Sequence, residues 1–144
     1  MKYEPATRDD MPEIARLAGT SRKDAMPWLA DPHTAEEGLV FFRDMVFPSQ
    51  TVIVARATAE MAGFIAFDSS WVNHLYLHPD LQGRGIGKVL LDRAKDATSH
   101  LQLWTFQRNA RARHFYAREG FVEVRMTDGD NEEREPDVLL EWCR

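Results

Sequence analysis

The spacing of apolar residues along this chain changes several times, and each change marks an expected element. Lys2 to Ala6 reads as a short strand. Thr7 can then cap a helix running to about Ala18. Asp9 and Asp10 lie in its first turn, where carboxylates suit the positive end of the helix dipole, and Ile14 and Leu17 supply part of an apolar face. Thr34-Ala35-Glu36-Glu37 has capping-box spacing ahead of Leu39, Val40, Phe41 and Phe42, which predicts a second helix to about Val46. Between these helices Ser21 to His33 reads as a connection, and Met26, Pro27, Trp28 and Leu29 make it unusually apolar for an exposed one.

A strand pattern follows. Thr51–Ala57 and Met61–Asp68 form a hairpin about Thr58–Glu60, and Trp71–Leu77 is a third strand ending at His78-Pro79. Helical spacing returns over Gly85–Ala97, with Ile86, Val89, Leu90 and Ala94 on one side. Leu101–Phe106 is a strand, Ala110–Arg118 a helix stopped by Gly120, and Phe121–Met126 and Asp137–Trp142 are strands flanking the polar loop Thr127–Pro136. The order predicts an α/β (α+β) fold, with hairpins early and strand-helix units later.

Composition narrows the function classes. A chain of 144 residues, 44% hydrophobic and 28% charged, is expected to fold as a single globular domain over residues 1–144. Its net charge of -5 argues against nucleic acid or an anionic membrane surface as partner. Cys143 stands alone, so neither a disulfide framework nor a zinc cluster is expected, and no metal is predicted. Met1-Lys2-Tyr3-Glu4-Pro5 lacks the apolar stretch of a signal peptide, and no apolar run reaches membrane-span length, so a cytoplasmic location is expected.

The most informative stretch is Leu75-Tyr76-Leu77-His78-Pro79-Asp80-Leu81-Gln82-Gly83-Arg84-Gly85-Ile86-Gly87-Lys88. A strand enters a glycine-rich turn that opens a helix. Successive outward amides plus the helix dipole suit a pyrophosphate-sized anion, and Arg84 and Lys88 can add charge. An ordinary glycine-rich turn would share this composition. A P-loop fails, because Gln82 stands at its first glycine position and Val89 at its hydroxyl position. The dinucleotide pattern fails as well, because Lys88 occupies its third glycine position.

Gln82-Gly83-Arg84-Gly85-Ile86-Gly87 does fit the Gln/Arg-x-x-Gly-x-Gly/Ala signature, and the chain resembles the GNAT superfamily of acetyl-CoA-dependent N-acetyltransferases. The segment Asn109-Ala110-Arg111-Ala112-Arg113-His114-Phe115-Tyr116 through Phe121 is similar to that family's second motif at the expected distance. The resemblance covers nearly the whole chain. It implies a mixed, mainly antiparallel sheet, splayed between its central strands and flanked by about four helices. It also implies acetyl-CoA as cosubstrate. The pantetheine arm would lie along Leu75, Tyr76 and Leu77 as an added strand, and amides from Gln82 to Lys88 would hold the pyrophosphate. Asn109 would contact the pantetheine arm, although a plain helix N-cap is an equal reading.

The reaction so implied is transfer of acetyl to a primary amine by direct attack. Freeing an alkylammonium of pKa about 10.4 at neutral pH costs roughly 4 to 5 kcal/mol, which a base, a water relay or desolvation must cover. The departing thiolate needs one donor, and Tyr116 matches the family's tyrosine in that role. The base is less defined. Strand alternation puts Trp71 and Asn73 on the side of Leu75 and Leu77, where Asn73 could order a relaying water. His74 has a suitable pKa but faces the other side unless a bulge intervenes. By family layout Trp28 and His33 from one loop, and Glu132 from Asn131–Asp137, frame the acceptor, a small-molecule or peptide amine. Trp104 and Phe106 are equally core or pocket wall. A non-catalytic acetyl-CoA sensor and a transferase for longer acyl-CoA are the alternatives, and a homodimer through the late strands stays open.

Overall fold

The computed structural model describes residues 1–144. Strands β1 (Lys2–Pro5), β2 (Thr51–Ala57), β3 (Glu60–Phe67) and β4 (Val72–Leu77) form an antiparallel sheet in sequence order. β5 (His100–Phe106), β6 (Val122–Met126) and β7 (Asp137–Cys143) form a second antiparallel sheet ordered β5-β7-β6. Helix α1 (Met11–Ala25) follows a 3₁₀ turn at Arg8–Asp10. Helix α2 (Ala35–Phe41) continues through a π-helical turn, Phe42–Val46, into a last α turn, Phe47–Ser49. Helices α3 (Ile86–Ala97) and α4 (Ala110–Arg118) complete the fold. This is the mixed, mainly antiparallel arrangement with four flanking helices that was expected.

Two apolar clusters explain the layering. Met61, Phe64 and Ala66 of β3 pack with Val52 and Val54 of β2 against Met11, Ile14 and Leu17 of α1 and Phe42 of α2. Ala62 and Ile65, on the opposite face of β3, pack against Leu90 and Leu91 of α3 and reach Leu101 and Leu140 of the second sheet. β3 is thus buried on both faces, which is why its sequence is continuously apolar where an alternating pattern would mark a half-exposed strand.

Several boundaries differ from the sequence expectation by a residue or more, and three differences change the local structure. α1 runs to Ala25, past the expected end at Ala18, so the connection to α2 begins only at Met26. The first α1 residues are preceded by a 3₁₀ turn in which the Asp10 carboxylate accepts from the Thr7 N–H at 2.8 Å. β4 begins at Val72, and Trp71 instead makes one parallel bridge to Gln102 of β5. The capping box is present as expected: Glu37 N–H donates to Thr34 Oγ1 at 3.1 Å, and Thr34 N–H donates to Glu37 Oε1 at 2.9 Å.

Candidate active site

The two sheets touch at one point and then part. The Trp71–Gln102 bridge, with Gln102 N–H donating to the Ser70 carbonyl at 2.8 Å, is the only strand pairing between β4 and β5. Beyond it the edge of β4 from Asn73 to Leu77 has no strand on that side. A strand edge held open in the middle of a fold carries main-chain groups for an extended ligand.

At the end of this edge, Pro79–Leu81 makes a 3₁₀ turn and Gly83 and Gly85 take positive φ of 78° and 82°. That backbone is open to glycine at little cost. A Cβ at either position would meet nothing within 4 Å, so the space above the turn is free. None of the backbone N–H groups from Gln82 through Lys88 donates to another group of the chain. They open α3, whose dipole adds positive potential. The fit to a pyrophosphate therefore rests on unpaired, unobstructed donors. The side chains contribute unequally. Arg84 is unpaired, whereas the Lys88 ammonium is engaged by Asp92 at 3.3 Å and Glu119 at 3.2 Å. Gly87 lies where α3 comes close to β4 and α4, and a Cβ there would sit 3.4 Å from Leu77 and Phe115.

Tyr116 projects from α4 into the core cluster and is 9% exposed. Its ring meets Phe115 and Phe121 edge-on, at centroid separations of 5.1 and 5.5 Å. Its hydroxyl forms no hydrogen bond within the chain and is not sealed from solvent. Burial pushes the phenol pKa up and the nearby Tyr76 phenol adds to the rise, so Tyr116 holds its proton throughout the neutral range. Asn109 caps α4 through Oδ1, which accepts from Ala112 N–H at 3.2 Å, leaving its amide nitrogen unspent.

β4 carries a bulge. His74 pairs with Ala66 and Val72 with Phe67, so Asn73 is the extra residue. This breaks the expected alternation. Val72 joins the core cluster beside Leu75, and the Asn73 amide is committed to Gln50 at 3.1 Å and Asp68 at 3.3 Å. His74 faces the α2 side with Tyr76. The π-helical turn brings two successive phenylalanines against it, Phe41 at 5.6 Å and Phe42 at 5.0 Å between centroids. Desolvation, with the Arg22 charge adding, lowers the His74 pKa to about 4. An imidazole that weakly basic is a poor general base, which corrects the pKa expected for it.

The acceptor candidates Trp28, His33 and Glu132 fall into two separate contacts, and none of them lines the cavity beneath the loop. Trp28 meets Phe106 edge-on at 6.1 Å, with the Arg108 guanidinium over its ring at 4.2 Å. His33 Nε2 lies 2.6 Å from Glu132 Oε1, so the α1–α2 connection and the β6–β7 loop are latched together. The sequence reading missed a second latch, between Arg22 of α1 and Glu133 at 3.3 Å. Arg22 also lies beside the Tyr76 phenol, whose pKa burial raises, and its Nε is a buried nitrogen without a partner. Beneath the loop a cavity of about 430 Å³ is lined by Trp104, Phe106, Arg125, Asp130, Glu133 and Asp137, among others. Trp104 is thereby pocket wall: it is 41% exposed, while its neighbour Leu103 is in the core.

Comparison with known proteins bears on this geometry. Residues 48–123 match the acetyltransferase (GNAT) domain family. The chain belongs to that family. An uncharacterized N-acetyltransferase of Archaeoglobus fulgidus is 32% identical in a match that covers 46% of this chain and 56% of that protein. The match thus spans about half the length of that relative. The peptidyl-lysine N-acetyltransferase YiaC of Escherichia coli is 25% identical over 95% of this chain and 93% of its own. The PaiA N-acetyltransferase of Thermoplasma acidophilum, solved in complex with coenzyme A, superposes with a TM-score of 0.76 at 19% identity over 100% of both chains. At that identity the likeness speaks for the fold.

Within this GNAT chain, the sequence could have revealed Arg22 through one signal. Ile14, Leu17, Ala18, Ser21 and Ala25 keep helical spacing, but the small residues Gly19, Thr20 and Ser21 look like a stop. No helix is long and apolar enough to cross a membrane.

Proposed function

We propose that residues 1–144 act as one N-acetyltransferase domain that moves acetyl from acetyl-CoA to a primary amine on a small molecule or peptide, by direct attack in a ternary complex. The observation that carries this reading is the run of unpaired amides from Gln82 to Lys88 beside the open edge of β4. Those donors suit a pyrophosphate, and the edge suits an extended amide-bearing arm. Relatives named as N-acetyltransferases, and a fold neighbour solved with coenzyme A, support it.

In this reading acetyl-CoA supplies the activated acyl group, and the chain supplies position and proton control. The edge at Leu75, Tyr76 and Leu77 orients the arm, with the Asn109 amide nitrogen as a further donor. Tyr116, protonated and unpaired, donates to the departing thiolate. The acceptor enters the cavity walled by Trp104 and Phe106, where the Arg125 guanidinium on the same wall favours the neutral amine over the ammonium. Asp130 is the one carboxylate lining that cavity that has neither ion pair nor hydrogen bond, and it collects the released proton through water.

The test is thiol release from acetyl-CoA across a panel of amines, alongside calorimetric binding of acetyl-CoA. Binding with amine-dependent thiol release is expected. Binding without turnover on any amine would indicate a sensor, and turnover only with longer acyl-CoA would reassign the donor.

A further inference from the structure

His100 opens β5 and Cys143 ends β7, and antiparallel register sets them directly opposite each other. Directly opposed side chains share a face with Cβ atoms about 4.5–5.5 Å apart, and a residue two positions along the same strand shares that face too. That residue is Glu141. His100 Nε2 lies 3.1 Å from Glu141 Oε2, Cys143 Sγ lies 3.9 Å from Glu141 Oε1, and one donor atom from each of the three residues falls within 4.8 Å of the others. An imidazole nitrogen, a carboxylate oxygen and a sulfur are the donor types that zinc takes, at about 2.0–2.3 Å in a tetrahedral arrangement.

Ligands at those lengths stand about 3.3–3.7 Å from one another across a tetrahedron. The contacts of Glu141 with His100 at 3.1 Å and with Cys143 at 3.9 Å are of that order, and the 4.8 Å bound on the whole triad leaves about 1 Å to close on an ion. The His100 and Glu141 side chains are 35% and 40% exposed, which leaves the cluster accessible and a fourth position for water. The lone cysteine argued against a metal in the sequence, because the two other donors become its neighbours only through cross-strand register.

We propose that His100, Glu141 and Cys143 bind one divalent transition-metal ion of the zinc type. The site is at the far end of β5 from Phe106, about 20 Å away at about 3.3 Å per residue, so it is separate from the acyl-transfer site. Binding displaces the thiol proton to solvent, and both cysteine and histidine must be deprotonated, so affinity falls on acidification.

Titration of the metal-free protein with Co²⁺ tests this. One equivalent is expected to give a thiolate-to-cobalt charge-transfer band with four-coordinate visible bands, and Zn²⁺ is expected to displace it. Cys143→Ser should abolish the charge-transfer band, and His100→Ala and Glu141→Gln should each weaken cobalt affinity at least tenfold, with circular dichroism unchanged. Absence of the band in the wild-type protein overturns the proposal. So does a band whose affinity ignores both His100→Ala and Glu141→Gln, since that would be a thiolate acting alone.

Discussion

Acidification should destabilise this protein through His74. Its pKa is about 4 in the folded chain, because desolvation among Phe41, Phe42 and Tyr76, together with the Arg22 charge, disfavours the imidazolium. The ordinary value is 6.5, which the unfolded chain recovers. At pH 8 the ring is neutral in both states and contributes nothing to the pH dependence. Between pH 6.5 and pH 4 the unfolded state binds the proton and the folded state does not, so stability falls as pH falls. At about 1.36 kcal/mol per unit, the loss is about 2 kcal/mol at pH 5 and about 3 kcal/mol below pH 4. Urea denaturation at pH 8 and pH 5 measures it. For a slope of about 1–3 kcal/mol/M, the 2 kcal/mol shifts the midpoint by about 1 M. His74→Phe keeps an aromatic ring among its neighbours and removes the titration, and His74→Leu serves if the larger ring strains the site. The other histidines cancel in the comparison. Wild type should lose about 2 kcal/mol more than either variant between the two pH values. Equal losses in wild type and both variants would refute the desolvation argument and return His74 to the candidates for general base.

Three further outcomes follow from the same packing. Tyr116→Phe should lower turnover at least tenfold while acetyl-CoA affinity holds, and because its hydroxyl bonds to nothing in the chain, folding stability should change by less than about 0.5 kcal/mol. Unchanged turnover in a thiol-release assay would remove Tyr116 from the chemistry. Gly63→Ala places a Cβ 2.6 Å from Leu77 Cδ2 and 2.9 Å from the Tyr76 carbonyl oxygen, so it should cost about 1–3 kcal/mol and lower Tm by several degrees in a thermal scan. Asp130→Asn should raise KM for a cationic acceptor about two- to fivefold, the worth of one exposed charge, with an effect that shrinks as salt rises. An identical shift for a neutral acceptor would contradict the electrostatic origin.

Much of this fold was legible because its signals are local. The capping box at Thr34 and Glu37, the stop at Gly120 and the glycine turn after β4 each act within a few residues, and each lies where the sequence puts it. What was missed depends on partners distant in sequence. α1 continues beyond Ala18 because Ser21 is buried against its surroundings, overriding the weak helical preference of Gly19 and Thr20. The bulge at Asn73 has no glycine or proline to announce it, and it arises from the pairing of β4 with β3. One extra residue there moves Val72 to the core face and separates Asn73 from the side chains it was expected to join.

The acceptor end shows the same dependence at the level of charge. Residues 130–137 carry Asp130, Glu132, Glu133, Glu135 and Asp137, which in sequence look like a single field for attracting a cation. In the fold most of those carboxylates are engaged in holding the loop. Glu132 takes His33, Glu133 takes Arg22, Glu135 takes Arg108 at 3.5 Å, and Asp137 accepts from Thr127 and from Asn131. Asp130 is left without a partner at the cavity wall. On the proposed reading this cavity offers a cationic acceptor one free carboxylate, while the Arg125 guanidinium lies over the Trp104 ring at 5.7 Å on the same wall. A cavity so lined would favour an amine with apolar character over a polyamine, because the carboxylates that would hold further ammonium groups are already engaged and Arg125 adds a repelling charge.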